Sequence, residues 1–451
     1  MEFVAQARLL DTVRRLIRRN ARSRLERVIQ KTQPADVAHL LPRLSEHDAK
    51  IFLKVLSRDE EHAAEVLSNL EEDTAPELLP LMETDSLASI FTHLHSDDAA
   101  DLLRALPEEL AEGILKRMKG EEAADVEELL HYDPKTAGGI MGTDFFSLNR
   151  DLKAGDAIFA LQEAEDAEMV FYVYCTNDEG HLVGVLSLRD LLTHPAETPL
   201  DDIMNADVIK VSPDTDQERV ARLVARYDLL AIPVVDEFNK LLGIVTVDDI
   251  IDVVRDEATE DFLKMVGSGE ENVLDSSTAR SAWLRAPWML LAAIGGIGGA
   301  ALITGFRERL EEVVLLAAFI PVVMGMGGNV GIQSATIMVR GLATGRVDML
   351  GQGKILAKEV RTGVLLAVAG SLVVGTAAYL LGHMDYMLGL VVGAAILTNM
   401  VSAALLGSMV PLIFRKLAVD PAVATGPIMT TFMDVAGILI YFVIAARLLS
   451  L

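Results

Sequence analysis

The sequence holds a single cysteine, Cys175, so no intrachain disulfide is available to it. It also lacks a cluster of His and Cys of the kind that binds a transition metal. No nucleophile–base arrangement, phosphate-cradling loop or set of metal ligands beside an acid or base is present, which sets an enzyme aside. The first residues carry no apolar run of the length a cleavable signal peptide needs. Positive charge is scarce: residues 31–280 contain 21 Lys and Arg against 55 Asp and Glu, so this part repels nucleic acid and must attract cations to stay compact. Residues 281–451 are nearly uncharged, with 11 basic and 8 acidic side chains. Only the first 30 residues are basic, and Arg14, Arg15, Arg18, Arg19, Arg22, Arg24 and Arg27 read as a basic helix, solvated or membrane-facing.

Between about Gln33 and Leu130 an apolar pair recurs with a 12-residue step: Val66-Leu67, Leu78-Leu79, Ile90-Phe91, Leu102-Leu103 and Ile114-Leu115. A step of that length gives each unit one short helix and a turn, and neighbours must stack to bury their faces. The reading is an α-superhelix. Turn signals between the units (Asp73, Thr74, Pro76; Ser96, Asp97, Asp98; Pro107) suit helix N-caps.

Residues 171–192 are echoed by residues 230–251, which sets Gly184 and Gly243, Ser187 and Thr246, and Asp190 and Asp249 each 59 apart. A strand, an acidic turn, a second strand and a helix opening on Asp thus occur twice. This pattern resembles a tandem CBS-domain pair. The resemblance implies a regulatory module that often binds adenine nucleotides, with Asp190 holding the ribose and Tyr172 beside it. Leu229 stands where a nucleotide-binding relative has an aromatic residue.

The next segment crowds Asp248, Asp249, Asp252, Asp256, Glu257, Glu260 and Asp261 into about four helical turns, with Asp249, Asp252, Asp256 and Glu260 on one face. Like charges at that spacing repel, and hard carboxylate oxygens suit magnesium or calcium. Five apolar spans follow, at about 286–306, 314–339, 361–382, 387–413 and 426–448. Basic residues between spans two and three (Arg340, Arg346, Lys354, Lys358, Arg361) and between four and five (Arg415, Lys416) place those loops in the cytosol. The stretch 307–312 has no such excess. The N-terminus is then cytoplasmic and the C-terminus outside, in the cell (inner) membrane.

Span two, PVVMGMGGNVGIQSATIMVR, has Gly325, Gly327, Gly328 and Gly331 beside Asn329, Gln333, Ser334 and Thr336. Small residues let backbones approach, and intramembrane polar groups face a bundle interior or a water-filled path. The only acid read inside a span is Asp434, with Pro427 freeing carbonyls nearby, as at Thr430. Thr398, Asn399 and Ser402 of span four complete the expected polar lining. One carboxylate suits an ion that keeps its water, as magnesium does.

This order of parts, with GMGGNVGIQSAT in span two and TTFMDVAGILIYF in span five, resembles the MgtE family of magnesium channels over nearly the whole chain. Ile332 departs from the family's GGNxGNQ pattern. The resemblance implies a homodimer in the lipid bilayer with a pore on its two-fold axis, Mg2+ as substrate and regulator, and ATP as a further ligand of the CBS pair. Asp434 and the Thr430 carbonyl would hold hydrated magnesium, with Asn329, Gly325 and Gly328 along the pore. Asp97 and Asp101 would share cytosolic ions with Asp249 and Asp252. Asp216, Glu218, Asp228, Glu257, Glu260, Asp261 and Asp420 fit sensor positions.

The expected fold is therefore multidomain. An all-α superhelical N-terminal domain (1–135) precedes α/β tandem CBS domains (136–203 and 204–248), an acidic connecting helix and linker (249–282), and a polytopic α-helical membrane domain with five spans per chain (283–451). The expected function is magnesium uptake, gated closed by cytosolic magnesium. A broader divalent-cation channel or exchanger, or a membrane-anchored CBS nucleotide sensor without transport, remain the other two readings.

Overall fold

The computed structural model describes residues 2–71, 74–118, 120, 122–163, 171–268, 278–306, 315–345, 347 and 352–449. Asp73, Arg346 and the stretch 307–312 used above for orientation lie outside them. The chain divides into two compact units, Met1–Val254 and Arg255–Leu451.

In the first unit the 12-residue step does produce short helices, among them Glu46–Leu56, Glu60–Ser68, Thr84–Phe91, Ser96–Ala105 and Glu108–Leu115. Val66, Leu67, Leu79, Ile90, Phe91, Leu102, Leu103 and Ile114 are all buried, so each unit delivers its apolar pair to one continuous core. Ser45 and Asp59 cap their helices as their residue types predict. Ser96 does not: its hydroxyl oxygen accepts from the Thr143 N–H at 2.9 Å, joining its helix to a segment 47 residues away.

The repeat read at 59 residues is reproduced pair by pair. Strand β2 (Tyr172–Thr176) lies antiparallel to β3 (Leu182–Ser187), with β1 (Ser147–Asn149) parallel to β2; β4 (Ala231–Val235) lies antiparallel to β5 (Leu241–Thr246). Tyr172 faces Ser187 as Ala231 faces Thr246, and both hairpins carry an irregularity at the same place, Cys175/Thr176 and Val234/Val235. The turns correspond too. Gly180 (φ 80°) and Asn239 (φ 69°) both take the left-handed conformation, and the Leu182 N–H donates to the Asn239 carbonyl at 2.9 Å, tying the two hairpins together.

Among the described residues, the second unit contains the C-terminal end of the connecting helix (Val247–Met265) and five helices long and apolar enough to cross a membrane: Thr278–Gly305, Leu315–Ala343, Gln352–Leu381, Tyr386–Lys416 and Gly426–Leu448. Several outrun the apolar stretches because a helix continues through flanking charged residues once its apolar part is anchored. Spans two, four and five make the core. Half of span four's most apolar window is buried, against 6% for span one. Glycine sets the separations: a Cβ at Gly407 would lie 2.4 Å from the Gly331 carbonyl oxygen, and one at Gly363 would lie 2.3 Å from the Ala404 Cβ.

Candidate functional site

In span two the four glycines serve two different purposes. A Cβ at Gly327 would meet Asn399 at 2.3 Å, and one at Gly331 would meet Met429 and Met433 at 3.1–3.3 Å, so these two make room for neighbouring spans. Gly325 and Gly328 would meet nothing within 4 Å. Val322, Gly325, Asn329, Gln333, Ile337 and Arg340 are exposed at spacings of three and four, so one face of this helix is left uncovered by the described residues. That face carries an amide pair at membrane depth.

Asn399 is not part of any such lining. It is fully buried, its Nδ2 donates to the Val323 carbonyl at 2.7 Å, and it is wedged against Gly327 and Gly437. The expectation of a pathway residue is thereby corrected: Asn399 ties spans two, four and five together. Thr398 is exposed and donates back to the Ala394 carbonyl, and Ser402 is half-buried.

In span five, Pro427 occupies the first turn, where its missing N–H costs nothing, and the helix runs unbroken from Gly426 to Leu448. The release of carbonyls expected at Thr430 therefore does not follow from Pro427, and the Thr430 hydroxyl donates to the Gly426 carbonyl at 3.0 Å. Met429, Met433 and Gly437 form the buried face of this helix. Asp434 lies off that face, half-buried, and makes no hydrogen bond or ion pair among the described residues. Glu359 is buried as well, 6% exposed, but it lies in the charged start of the helix Gln352–Leu381, beside Lys354, Lys358 and Arg361 and ahead of that helix's apolar part.

The acids of the first unit are mostly engaged. Asp97 is buried, and its burial raises its pKa, against the opposing effects of the Asp98 N–H and of His95. Its neighbour Asp144, which no sequence signal marked, accepts from the Ser96 N–H at 3.1 Å and lies 3.6 Å from His95. Asp101 holds Arg104 at 2.7 Å, and Arg104 also donates to the carbonyls of Gly139 and Leu129. Asp216 caps the helix Gln217–Tyr227, Glu218 pairs with Arg222 at 3.2 Å, and Asp228 ends that helix in the left-handed conformation. Asp190 and Asp249 play matching parts in the two repeats. Asp190 accepts from the Ser187 hydroxyl at 2.6 Å and Asp249 from the Thr246 hydroxyl at 2.5 Å, each at the start of the helix that follows. Tyr172 is half-buried, its hydroxyl 3.5 Å from the Leu230 N–H; Leu229 packs into the core and Asp252 is exposed.

The second unit gathers Glu257, Glu260, Asp261 and Asp420. Burial first, then Asp420 and Glu257, push the Asp261 carboxyl up to about 6. Lys264 donates to Asp420 at 2.7 Å and also pairs with Glu260. Burial works against its ammonium, but those two partners outweigh it and raise the pKa. Among the described residues no three His, Cys, Asp or Glu side chains converge tightly enough to cage a bare metal ion. Crowded carboxylates without a cage fit a cation that keeps part of its water, as magnesium does.

Fold and site thus define a multi-pass membrane protein with a polar intramembrane face, a CBS pair and an acidic helical domain. Three family descriptions cover these parts: MgtE intracellular N domain (residues 32–135), CBS domain (137–197 and 200–256) and Divalent cation transporter (320–444). The chain is 36% identical over 419 residues to Magnesium transporter MgtE of Bacillus subtilis (strain 168), covering 93% of this chain and 92% of that one. It is 41% identical to the protein of the same name from Enterococcus faecalis (strain ATCC 700802 / V583) over 327 residues, 72% of each. A crystal structure of the cytosolic domain of the Mg2+ channel MgtE in complex with ATP matches with a TM-score of 0.52 at 35% identity, over 54% of this chain and 99% of that one. The chain belongs to the MgtE family.

Proposed function

We propose that this protein is a magnesium-selective channel for Mg2+ uptake, closed by magnesium on the cytosolic side. The observation that carries the reading is the half-buried Asp434, without a partner among the described residues and within an apolar span. A carboxylate in that setting calls for water, a cation or a second copy. A homodimer would bring two Asp434 side chains and two unpacked faces of span two to one axis. There Asp434 and the Thr430 carbonyl would hold a hydrated ion, with Gly325, Gly328 and Asn329 along its route. The N-terminus would be cytoplasmic and the C-terminus outside, as the basic loops require.

Gating follows from repulsion. Asp97, Asp101, Asp216, Glu218, Asp228, Asp249 and Asp252 in the first unit would bind magnesium ions at high cytosolic concentration, as would Glu257, Glu260, Asp261 and Asp420 in the second. The compact, closed state then gains population, and loss of ions restores repulsion and opens the pore. Each ion need supply only about 1–3 kcal/mol of coupling for several to act as a steep switch. ATP would bind the CBS pair near Asp190 and Tyr172, as a ligand the relative's structure also holds.

The test is magnesium flux in liposomes, with and without magnesium on the cytosolic side. Asp434→Asn should lower uptake at least about tenfold, the effect of losing one charge from a half-buried site that holds a hydrated ion. Full uptake by this variant would end the pore assignment. Competition by manganese, cobalt and calcium separates a selective channel from a general divalent one.

A further inference from the structure

The end of the connecting helix is a fitted joint. Gly267 takes the left-handed conformation (φ +72°), the Ser268 N–H returns to the Leu263 carbonyl at 2.8 Å, and the Gly267 N–H returns to the Lys264 carbonyl at 3.1 Å. This pair of bonds terminates the helix and turns the chain. The turn sits on the start of span five: a Cβ at Gly267 would lie 2.8 Å from the Pro427 ring, and one at Gly426 would lie 2.0 Å from the Met265 carbonyl oxygen. Thr430 and Asp434 follow Gly426 by one and two turns on the same helix. Any lift of the joint therefore acts on the span that carries the intramembrane acid.

Apolar contact is not what holds this joint at its polar edge. Glu257, Glu260, Asp261 and Asp420 place four carboxylates there, and repulsion among them opposes docking. Lys264 is a basic side chain set among them, and it bridges Glu260 on its own helix to Asp420, 156 residues away. Its side chain is only 27% exposed, so the pair is shielded from solvent more than a surface ion pair is.

We propose that Lys264 is a built-in counter-ion. It offsets part of the repulsion that lifts the end of the connecting helix from span five when divalent ions are absent, and so sets the ion concentration at which the surrounding acids close the joint. A divalent cation arriving at Glu260 or Asp420 meets oxygens already shared with an ammonium. The Lys264 bridge thus sets how much is left for the ion to do. Lys264 is a positioning residue in this scheme, acting through the joint and not on the transported ion. The flux arm of its test rests on the gating reading above; the exchange arm does not.

The experiment is hydrogen exchange on the full-length chain in lipid nanodiscs, in EDTA and in saturating MgCl2, for wild type, Lys264→Met and Lys264→Arg. In EDTA, Lys264→Met should exchange the amides of 262–268 and 422–426 about tenfold faster, the size expected for a charged hydrogen bond lost from a half-buried site. Lys264→Arg should stay within about twofold of wild type, and MgCl2 should remove most of the Lys264→Met excess. Half-inhibition of flux should need about threefold more cytosolic-side magnesium in Lys264→Met. Unchanged exchange in EDTA, an Arg variant as fast as the Met variant, or acceleration spread through the spans would each overturn the proposal. Absence of any magnesium flux in the wild type, with the exchange pattern intact, would overturn the transport reading and leave the counter-ion in place.

Discussion

Asp261 illustrates how a single side chain reports the electrostatics around it. Its carboxyl is pushed up to about 6 by burial and by Asp420 and Glu257. Because the folded value lies above that of an exposed Asp, the docked state is favoured by protonation. Its stability is greatest below about pH 4, falls as pH rises to about 6, and the loss is complete above that. We expect magnesium-free wild type to open the 262–268 joint more at pH 7.5 than at pH 5, by about fivefold after allowance for solvent screening. Asp261→Asn should remove that difference, read as the ratio of the two proteins' exchange rates at each pH. An equal pH dependence in both would mean that the acids around Asp420 do not repel. Asn399 makes the complementary point. Its type and place suggested a pathway, yet it is buried inside the bundle, where its Nδ2 donates to the Val323 carbonyl.

Among elements, span two separates packing from passage. Gly407 approaches the Gly331 carbonyl so closely that a methyl group has no room, whereas a Cβ at exposed Gly325 or at buried Gly328 would meet nothing within 4 Å among the described residues. Gly407→Ala should lower thermal stability in detergent by about 2 kcal/mol or more, as overpacking does. Gly328→Ala should leave it within about 0.5 kcal/mol while reducing magnesium flux. If Gly328→Ala destabilises as much as Gly407→Ala and spares the flux, the open face is only an interface. The CBS hairpins show the reverse case, in which an element was fully legible. Their 59-residue echo appears in the structure as matching registers, matching irregularities and matching left-handed turns. Local pairing rules act within each repeat, so similar sequences find similar registers.

For the whole molecule the governing fact is a net charge of −26, with the acids concentrated ahead of the spans. Magnesium should compact the protein, read as protection of the 1–282 region from protease, at millimolar concentrations where KCl of equal ionic strength does nothing. Protection by KCl alone would show that screening suffices, since both salts then act through the same Debye length.

The sequence by itself determined the division into acidic helices, paired CBS repeats and five apolar helices, because hydrophobic period, repeat spacing and charge are local properties of the chain. It also marked Asp434 and the acids of the connecting helix. Tertiary structure alone decided which of these groups are already engaged: Asp190 and Asp249 by helix starts, Asp101 by Arg104, Asn399 by Val323. It also brought Lys264 to Asp420 and buried Glu359. The reason is physical. A polar residue's role depends on which partners reach it across the fold, and partners 76 or 156 residues away leave no periodic trace in the chain.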